Sequence, residues 1–365
     1  MPPPSPAARR CFPPSGVLAA VALAAGLALA PGAAGAGAAQ QRVQVHQTKV
    51  PTGYSATSLV CTSARACLVT LTTANLRVAV GISTDGGTRW RIVRLPASLL
   101  GLSSLSCADP LHCVAAGTTA TPGTIRQSPV FVTTADGGAT WLVHPIPAAF
   151  GITGLYSIAC TSASSCLAVT IDLRQLTHLL VSTDGGAIWT KRPAPLKDLR
   201  GVACRRGGRC VLYAGGYADT GPESEKVVSS GDGGAHWGAV ATFKGVETIQ
   251  AAACPSVRAC VLVGGTISQA EPNAGNGVVL RTTDGGSTWS RGTVPSNMAT
   301  LSDVSCGDAS HCVLVGYTHA GPPVVTRLLA SADAGARWSA LPAQVSGGVS
   351  GLACSSARSC VAVGS

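Results

Sequence analysis

The chain has 365 residues and a formal net charge of +10, yet only 12% of its residues are charged and 4% are aromatic. An ordinary globular domain has about 25% charged residues, so this composition is poor in charge. The basic excess is scattered Arg, without a basic stripe or interleaved aromatic residues, which argues against a nucleic-acid partner. The charge instead suits solubility and attraction to an anionic cell envelope.

The N-terminal segment has the composition of an export signal. Two arginines precede an apolar stretch of about 15 residues, and small residues with A-x-A triplets come next, near Ala36–Ala39. We predict a signal peptide over 1–39 and a mature domain over 40–365, with a retained N-terminal anchor as the alternative. No later stretch has the ~20 apolar residues of a membrane span, so we expect no span after cleavage.

A repeat with two cysteines in the pattern C-x5-C begins soon after the leader. Its seven copies contain fourteen of the fifteen cysteines, and the remaining Cys11 precedes the apolar stretch. An exported chain with an even, regularly spaced set of cysteines predicts a disulfide framework. The expected pairs are Cys61–Cys67, Cys107–Cys113, Cys160–Cys166, Cys204–Cys210, Cys254–Cys260, Cys306–Cys312 and Cys354–Cys360. We expect neither a metal nor another cofactor, because no C-x2-C element is present and no His recurs with each pair.

A second repeat is an octapeptide that occurs six times, first as STDGGTRW at 83–90. Each copy has Ser or Thr, any residue, Asp, Gly or Ala, Gly, two further residues and Trp. The six copies contain every Trp of the chain, and successive Asp residues are 48 to 52 positions apart. The recurring pairs are Asp85 and Trp90, Asp136 and Trp141, Asp184 and Trp189, Asp232 and Trp237, Asp284 and Trp289, and Asp333 and Trp338.

One repeat unit has about 49 residues and four strand-like segments, which suits one blade of a β-propeller. Around Cys254, TIQAAAC and CVLVGG flank a short turn, VVLRT comes after a loop rich in Gly and Asn, and the octapeptide leads into STWSRGTV. The octapeptide therefore joins the third and fourth strands. Its Asp and Ser/Thr side chains are expected to bond the turn, and its Trp to fill space between blades.

The two chain ends decide the number of blades. Seven cysteine pairs but six octapeptides are present, and segment 43–50 matches the strand-like segment that comes after each Trp. We predict an all-β, seven-bladed β-propeller whose last blade combines two C-terminal strands with this N-terminal strand and closes the ring. Six blades with extra strands are the alternative.

The octapeptide resembles the Asp-box, or BNR, repeat S/T-x-D-x-G-x-x-W, in six units across nearly the whole mature chain. The only departure, Ala334, falls at a variable position of that motif. The unit over 301–338 is also similar to photosystem II assembly-factor propellers, which need not have the cysteine pairs. The resemblance implies a sialidase-like propeller fold with structural Asp residues, but Asp-box propellers diverge in activity.

Strand alternation places the cysteine turns and octapeptides on one face and the irregular loops on the other. Irregular loops more often carry function, and Arg suits carboxylate ligands. We expect Glu223 and Glu225 to share one Pro/Gly-flanked loop. The candidate ligand residues on that face are Arg77, Arg126, Arg174, Tyr217, Glu223, Glu225 and Tyr317.

We predict a non-catalytic binding, scaffold or assembly protein at the cell envelope or outside the cell, monomeric, with a protein or glycan partner. The alternatives are a sialidase or another glycoside hydrolase. The resemblance to sialidases implies an F/Y-R-I-P motif, which is absent here. A two-carboxylate hydrolase requires an acidic pair, and no pair stands out among Asp172, Asp198, Asp219, Glu223, Glu225, Glu271 and Asp303. A converging acidic pair with a shifted pKa would indicate an enzyme.

Overall fold

The computed structural model describes residues 43–120, 127–215, 224–266, 276–318, 325–342, 345 and 347–364. In these ranges the strands form seven small sheets. The first strand of each sheet contacts the first strands of both neighbouring sheets, and these contacts close a ring. The protein is therefore a seven-bladed β-propeller, as predicted, and the six-bladed alternative was wrong.

Blades 1 to 6 each contain four antiparallel strands in sequential order. Blades 1 to 3 comprise β2 (Tyr54–Cys61), β3 (Cys67–Thr73), β4 (Val78–Ser83) and β5 (Arg91–Arg94); β6 (Leu99–Cys107), β7 (Cys113–Ala120), β8 (Gln127–Thr134) and β9 (Leu142–Pro145); and β10 (Ile152–Cys160), β11 (Cys166–Asp172), β12 (Thr177–Ser182) and β13 (Thr190–Arg192). Blades 4 to 6 comprise β14 (Leu199–Cys204), β15 (Cys210–Ala214), β16 (Ser224–Ser230) and β17 (Ala241–Lys244); β18 (Thr248–Ala253), β19 (Cys260–Gly265), β20 (Gly277–Thr282) and β21 (Ser290–Gly292); and β22 (Met298–Cys306), β23 (Cys312–Thr318), β24 (Thr326–Ser331) and β25 (Ser339–Ala340).

Blade 7 joins the two ends of the chain. It contains β26 (Val349–Ser356), β27 (Ser359–Gly364) and the N-terminal strand β1 (Gln44–Lys49), in the order β1-β27-β26. β1 runs parallel to β27, with Val45 opposite Cys360. The pairing is parallel because a fourth strand runs in the same direction as a second strand, and blade 7 has no third strand between them. The predicted closure of the ring is confirmed.

All seven predicted disulfides are formed. In six blades the two cysteines are directly opposite each other where the first strand ends and the second begins. Such a set of disulfides is typical of oxidising compartments outside the cytosol. Within the described ranges, no helix has the length and apolar character of a membrane span; the single helix is the short 3-10 turn Ala148–Phe150.

Replacing Cys204 and Cys210 together by Ala should lower the free energy of unfolding by about 2 kcal/mol, because the disulfide constrains a short loop in the unfolded chain. The sequence separation of the two cysteines is 6. Denaturant unfolding of the oxidised proteins measures the difference. Under reducing conditions the variant and the parent should unfold at nearly the same denaturant concentration. Equal stability of the oxidised proteins would contradict the entropic role.

The hydrophobic core consists of seven clusters, each lying between two neighbouring blades. Six clusters contain an octapeptide Trp, which packs against the preceding blade. Trp189 of blade 3, for example, stacks on Phe131 of blade 2 with ring centroids 4.0 Å apart. The cluster between blades 6 and 7 has no Trp, since blade 7 has no octapeptide. The Trp residues therefore lie between blades, where the sequence predicted them.

The octapeptides and cysteine turns share one face, which we call the octapeptide face. In blade 1 the Gly86 N–H donates to the carbonyl oxygen of Arg65 in the cysteine turn, at 2.9 Å. The second Gly of each octapeptide has a positive φ and packs on the preceding blade. At Gly186 (φ 92°) an added Cβ would lie 2.9 Å from the Val114 side chain, so a larger residue has no room there. The described second-to-third loops, over 74–77 in blade 1 and 173–176 in blade 3, lie on the opposite face.

Candidate functional site

The octapeptide carboxylates are bonded within their own turns. In blade 1 the Ser83 hydroxyl donates to Asp85 Oδ1 at 2.9 Å and accepts the Gly87 N–H at 2.8 Å. The Arg89 backbone N–H also donates to Oδ1, and this bond chiefly holds the pKa of Asp85 below its ordinary value. Hydrogen bonds from Thr140 lower the pKa of Asp136 to about 2. These Asp side chains are therefore ionised at neutral pH.

The predicted ligand residues of the opposite face do not form one cluster. Arg77 and Arg174 are exposed in the second-to-third loops of blades 1 and 3, which are not neighbours in the ring. Their backbone N–H groups bond within their own loops, to Thr73 and Asp172. Tyr317 lies half-buried in β23 rather than in a loop. Three further candidates lie outside the described residues, namely Arg126, Tyr217 and Glu223.

The prediction that Glu225 lies in a loop was wrong. Glu225 belongs to β16, where it is opposite Phe243 of β17, and it is fully buried. Its carboxylate occupies the space above Gly215, where a Cβ atom would clash with it. The sequence signal pointed to a loop because Pro and Gly precede this strand, but the ladder to β17 extends the strand to Ser224.

The charges of two carboxyl groups affect the pKa of a buried tyrosine that was not predicted from the sequence. Burial raises the pKa of Tyr213 above its ordinary value, and the charges of Glu225 and Asp303 raise it further. Burial also raises the pKa of Asp303 to about 6. Tyr213 ends an apolar strand pattern, CVLY, and its hydroxyl reaches over Gly201 of the first strand of its blade. In the sequence, the one sign of this contact is that residue 201 is a glycine, which leaves room for the Tyr213 hydroxyl.

Asp303 has a bonding role between blades. Its Oδ1 accepts the Val304 N–H at 2.8 Å and its Oδ2 accepts the Leu352 N–H of blade 7 at 3.0 Å. Ser104 and Ser157 have the corresponding position, three residues before a Cys, and each accepts an N–H from the next blade. Asp303 thus takes the place of a serine that links the first strands of two neighbouring blades. Since Glu225 is fully buried and Tyr213 is only 6% exposed, this group presents no accessible acidic pair.

A concave site lies on the octapeptide face, between blades 2 and 3. It is a cleft of about 370 Å³ whose walls are the cysteine turns and octapeptides of both blades. Its lining includes four ionisable side chains, namely His112, Asp136, His144 and Asp184. We call this site the blade 2–3 cleft.

The histidines of the cleft have defined partners. His144 Nε2 lies 2.8 Å from Thr133 Oγ1, and the His112 ring bonds Asp109 of its own turn at 2.9 Å. Burial lowers the pKa of His144, although the Asp184 charge opposes this effect. His144 is therefore neutral at pH 7, and the ionised Asp136 and Asp184 give the cleft a negative charge.

The cleft has an apolar rim. Leu142 lines it and is 65% exposed, while Ile188 and Leu111 flank lining residues and are 70% and 53% exposed. The sequence pattern predicted the ligand residues on the opposite face, so this cleft was not predicted. A signal was present nonetheless, because Ile188 occupies an octapeptide position at which the other copies have Arg, Thr or His. Among the described residues, no group of three or more His, Cys, Asp or Glu could hold a metal ion.

No protein-family model and no curated protein matches this chain. Among solved structures, YCF48 bound to a D1 peptide is similar with 16% identity and a TM-score of 0.51 over 80% of this chain and 82% of that one. The GH74 xyloglucanase of Xanthomonas campestris has 16% identity and a TM-score of 0.55, over 80% of this chain and 46% of that one.

The BP39L lectin of Burkholderia pseudomallei is similar with 13% identity and a TM-score of 0.51, over 77% of this chain and 81% of that one. All three structures share the propeller fold of this chain. The chain spans less than half of the xyloglucanase. At these identities the likenesses show the fold alone.

Proposed function

We propose that this protein is an exported, non-catalytic propeller that binds a protein partner as a scaffold or assembly factor. One observation carries the proposal: the open cleft has carboxylates of lowered pKa, and Asp303, whose pKa is raised, is held by backbone N–H groups. A general acid at neutral pH needs a raised pKa. Asp136, with a pKa of about 2, cannot donate a proton there. The cleft is therefore suited to binding and unsuited to acid–base catalysis.

Export and family membership belong to the same proposal. The seven disulfides support an oxidising location, and we propose a signal peptide over 1–39 and a secreted or envelope-bound monomer over 40–365. We also assign the octapeptides to the Asp-box repeats, with Asp and Trp in structural roles, on the strength of their shared hydrogen-bond pattern. YCF48 was solved with a D1 peptide, which supports a protein as the partner class.

The test combines an activity assay with partner capture by the oxidised mature chain. We expect no hydrolysis of a panel of fluorogenic glycosides, sialosides included, by protein that circular dichroism shows to be folded. A photoreactive amino acid should give one discrete protein adduct in the producing cells, either at Leu142 of the octapeptide face or at Leu173, which is exposed in the second-to-third loop of blade 3 on the opposite face. Turnover that Asp303→Asn abolishes would overturn the proposal, as would the lack of an adduct from either face.

A further inference from the structure

The octapeptide of blade 3 lacks a contact that the other five copies make. In each of those copies, the side chain four residues after the Asp pairs with the second carboxylate oxygen, Oδ2. Arg89 forms an ion pair there, and hydrogen bonds come from Thr140, His236, Thr288 and Arg337. In blade 3 this position is Ile188, whose side chain has no hydrogen-bond donor. Among the described residues, the hydrogen bonds to the Asp184 carboxylate all go to Oδ1, from Ser182, Ala187 and Ile188.

Two of the corresponding grooves between other blades contain an arginine of the chain itself. Between blades 4 and 5, the Arg209 guanidinium donates to the carbonyl oxygens of Val257 at 2.6 Å and Gly285 at 2.7 Å. Between blades 5 and 6, Arg281 donates to the carbonyl oxygen of Ala334 at 2.9 Å. Ala334 has the same octapeptide position as Gly285. A guanidinium group therefore fits this type of groove and bonds the same backbone carbonyl.

The blade 2–3 cleft has the acceptors but lacks the arginine. Arg209 immediately precedes the second Cys of its blade, and the residue at this place in blade 2 is His112, which is turned to Asp109. Arg281 immediately precedes its octapeptide, and the residue at this place in blade 2 is the short Thr133. The acceptor positions of blade 3 are Ala163 and Gly185, and both line the cleft.

We propose that the blade 2–3 cleft binds an arginine side chain in an aliphatic segment of the protein partner. The guanidinium would donate to the carbonyl oxygens of Ala163 and Gly185 and pair with Oδ2 of Asp184. Guanidinium donors match this set of planar acceptors better than a lysine ammonium does. Leu142, Ile188 and Leu111 would pack on the flanking aliphatic residues, since burial of exposed apolar area favours binding. The inference rests on the proposed binding function and gives its site.

The probe is a fluorescein-labelled Leu-Arg-Leu peptide amide, with a citrulline counterpart that keeps the shape and loses the charge. Fluorescence polarisation with the oxidised mature chain should show binding of the Arg peptide. The citrulline peptide should bind about tenfold more weakly, because the neutral urea loses the ion pair with Asp184 and one of the donor groups of the guanidinium. Equal binding of the two peptides would overturn the proposal, and so would no binding at about 1 mM peptide.

Two variants separate the cleft from other surfaces. Ile188→Thr installs the donor that Thr140 and Thr288 provide in other copies, and it should weaken the Arg peptide about tenfold. Thr133→Arg places an arginine where Arg281 lies in blade 5 and should abolish binding by filling the cleft. Asp284→Asn is the matched control in an octapeptide whose groove already contains Arg209, and it should bind normally.

The results distinguish this inference from the proposed function. If Ile188→Thr and Thr133→Arg bind the Arg peptide as the parent does, the cleft assignment is wrong. If a protein adduct still forms while no Arg peptide binds, the cleft assignment fails and the binding function stands. Glycoside turnover would instead remove the binding function itself.

Discussion

Trp189→Ala should lower the free energy of unfolding by about 3–5 kcal/mol, the range for deleting a large buried aromatic side chain. Trp189 is only 5% exposed and stacks on Phe131 across the interface of blades 2 and 3. Its indole N–H also donates to the Gly186 carbonyl oxygen at 2.8 Å. The substitution therefore leaves a cavity and an unbonded carbonyl at an interface that has few other aromatic groups. Chemical denaturation followed by circular dichroism measures the effect.

Ile188→Ala is the control for this change. Ile188 is the preceding residue but is 70% exposed, so its truncation should change stability by less than about 0.5 kcal/mol. If the two variants were equally stable, Trp189 would not be a determinant of the interface. A large loss for Ile188→Ala would show that the rim is buried in the protein as it exists in solution.

Asp303→Ser should raise stability at neutral pH by about 1–3 kcal/mol. The pKa of Asp303 is raised from its ordinary value of 3.8 to about 6 in the folded chain. The folded chain therefore holds this proton more tightly, and stability from this group falls as pH rises from about 4 to about 6. Ser in this position can still accept the N–H of Leu352, as Ser104 and Ser157 accept the corresponding groups.

Denaturant unfolding at about pH 4 and about pH 7.5 tests this prediction. The advantage of Asp303→Ser should be small at the lower pH and reach its full size at the higher one. Asp172→Asn is the control of opposite sign, because the hydrogen bond with His178 chiefly lowers the pKa of Asp172. Asp172→Asn should lower the free energy of unfolding above about pH 4, where the carboxylate is ionised in the parent. If Asp303→Ser destabilised the protein at both pH values, the carboxylate would have a bonding role that serine cannot replace.

The blade 2–3 cleft arises where a regular structure is interrupted. Six octapeptides repeat one hydrogen-bond pattern, and a single substitution, Ile188, removes the donor to Oδ2 of Asp184. The same interface has His112 where blade 4 has Arg209, and Thr133 where blade 5 has Arg281. Each change is small within its own repeat. Together they leave Oδ2 of Asp184 without its usual donor and the groove without an arginine at these two positions, because all of them fall at the same boundary between two blades.

The sequence by itself determined the number of blades, the seven disulfides and the octapeptide turns. These features depend on contacts within one repeat, between residues that are close in the chain. Cys61 and Cys67 are six positions apart, and the Ser83 hydroxyl bonds a carboxylate two positions away. Such contacts recur with the repeat, so six or seven copies reinforce the same interpretation. Even the closing strand β1 could be predicted, because it matches a strand that occurs in every other unit.

Only the tertiary structure decided the burial of Glu225, the environment of Asp303 and the opening of the cleft. Asp303 meets Leu352 across 49 positions of sequence, and Arg209 meets Gly285 across 76. These contacts depend on how one blade packs on the next, and residues on the two sides of a boundary belong to different repeats. The pattern within a repeat therefore cannot show which grooves are filled. Whether a groove is filled depends on the length and direction of the side chains that come together when the ring closes.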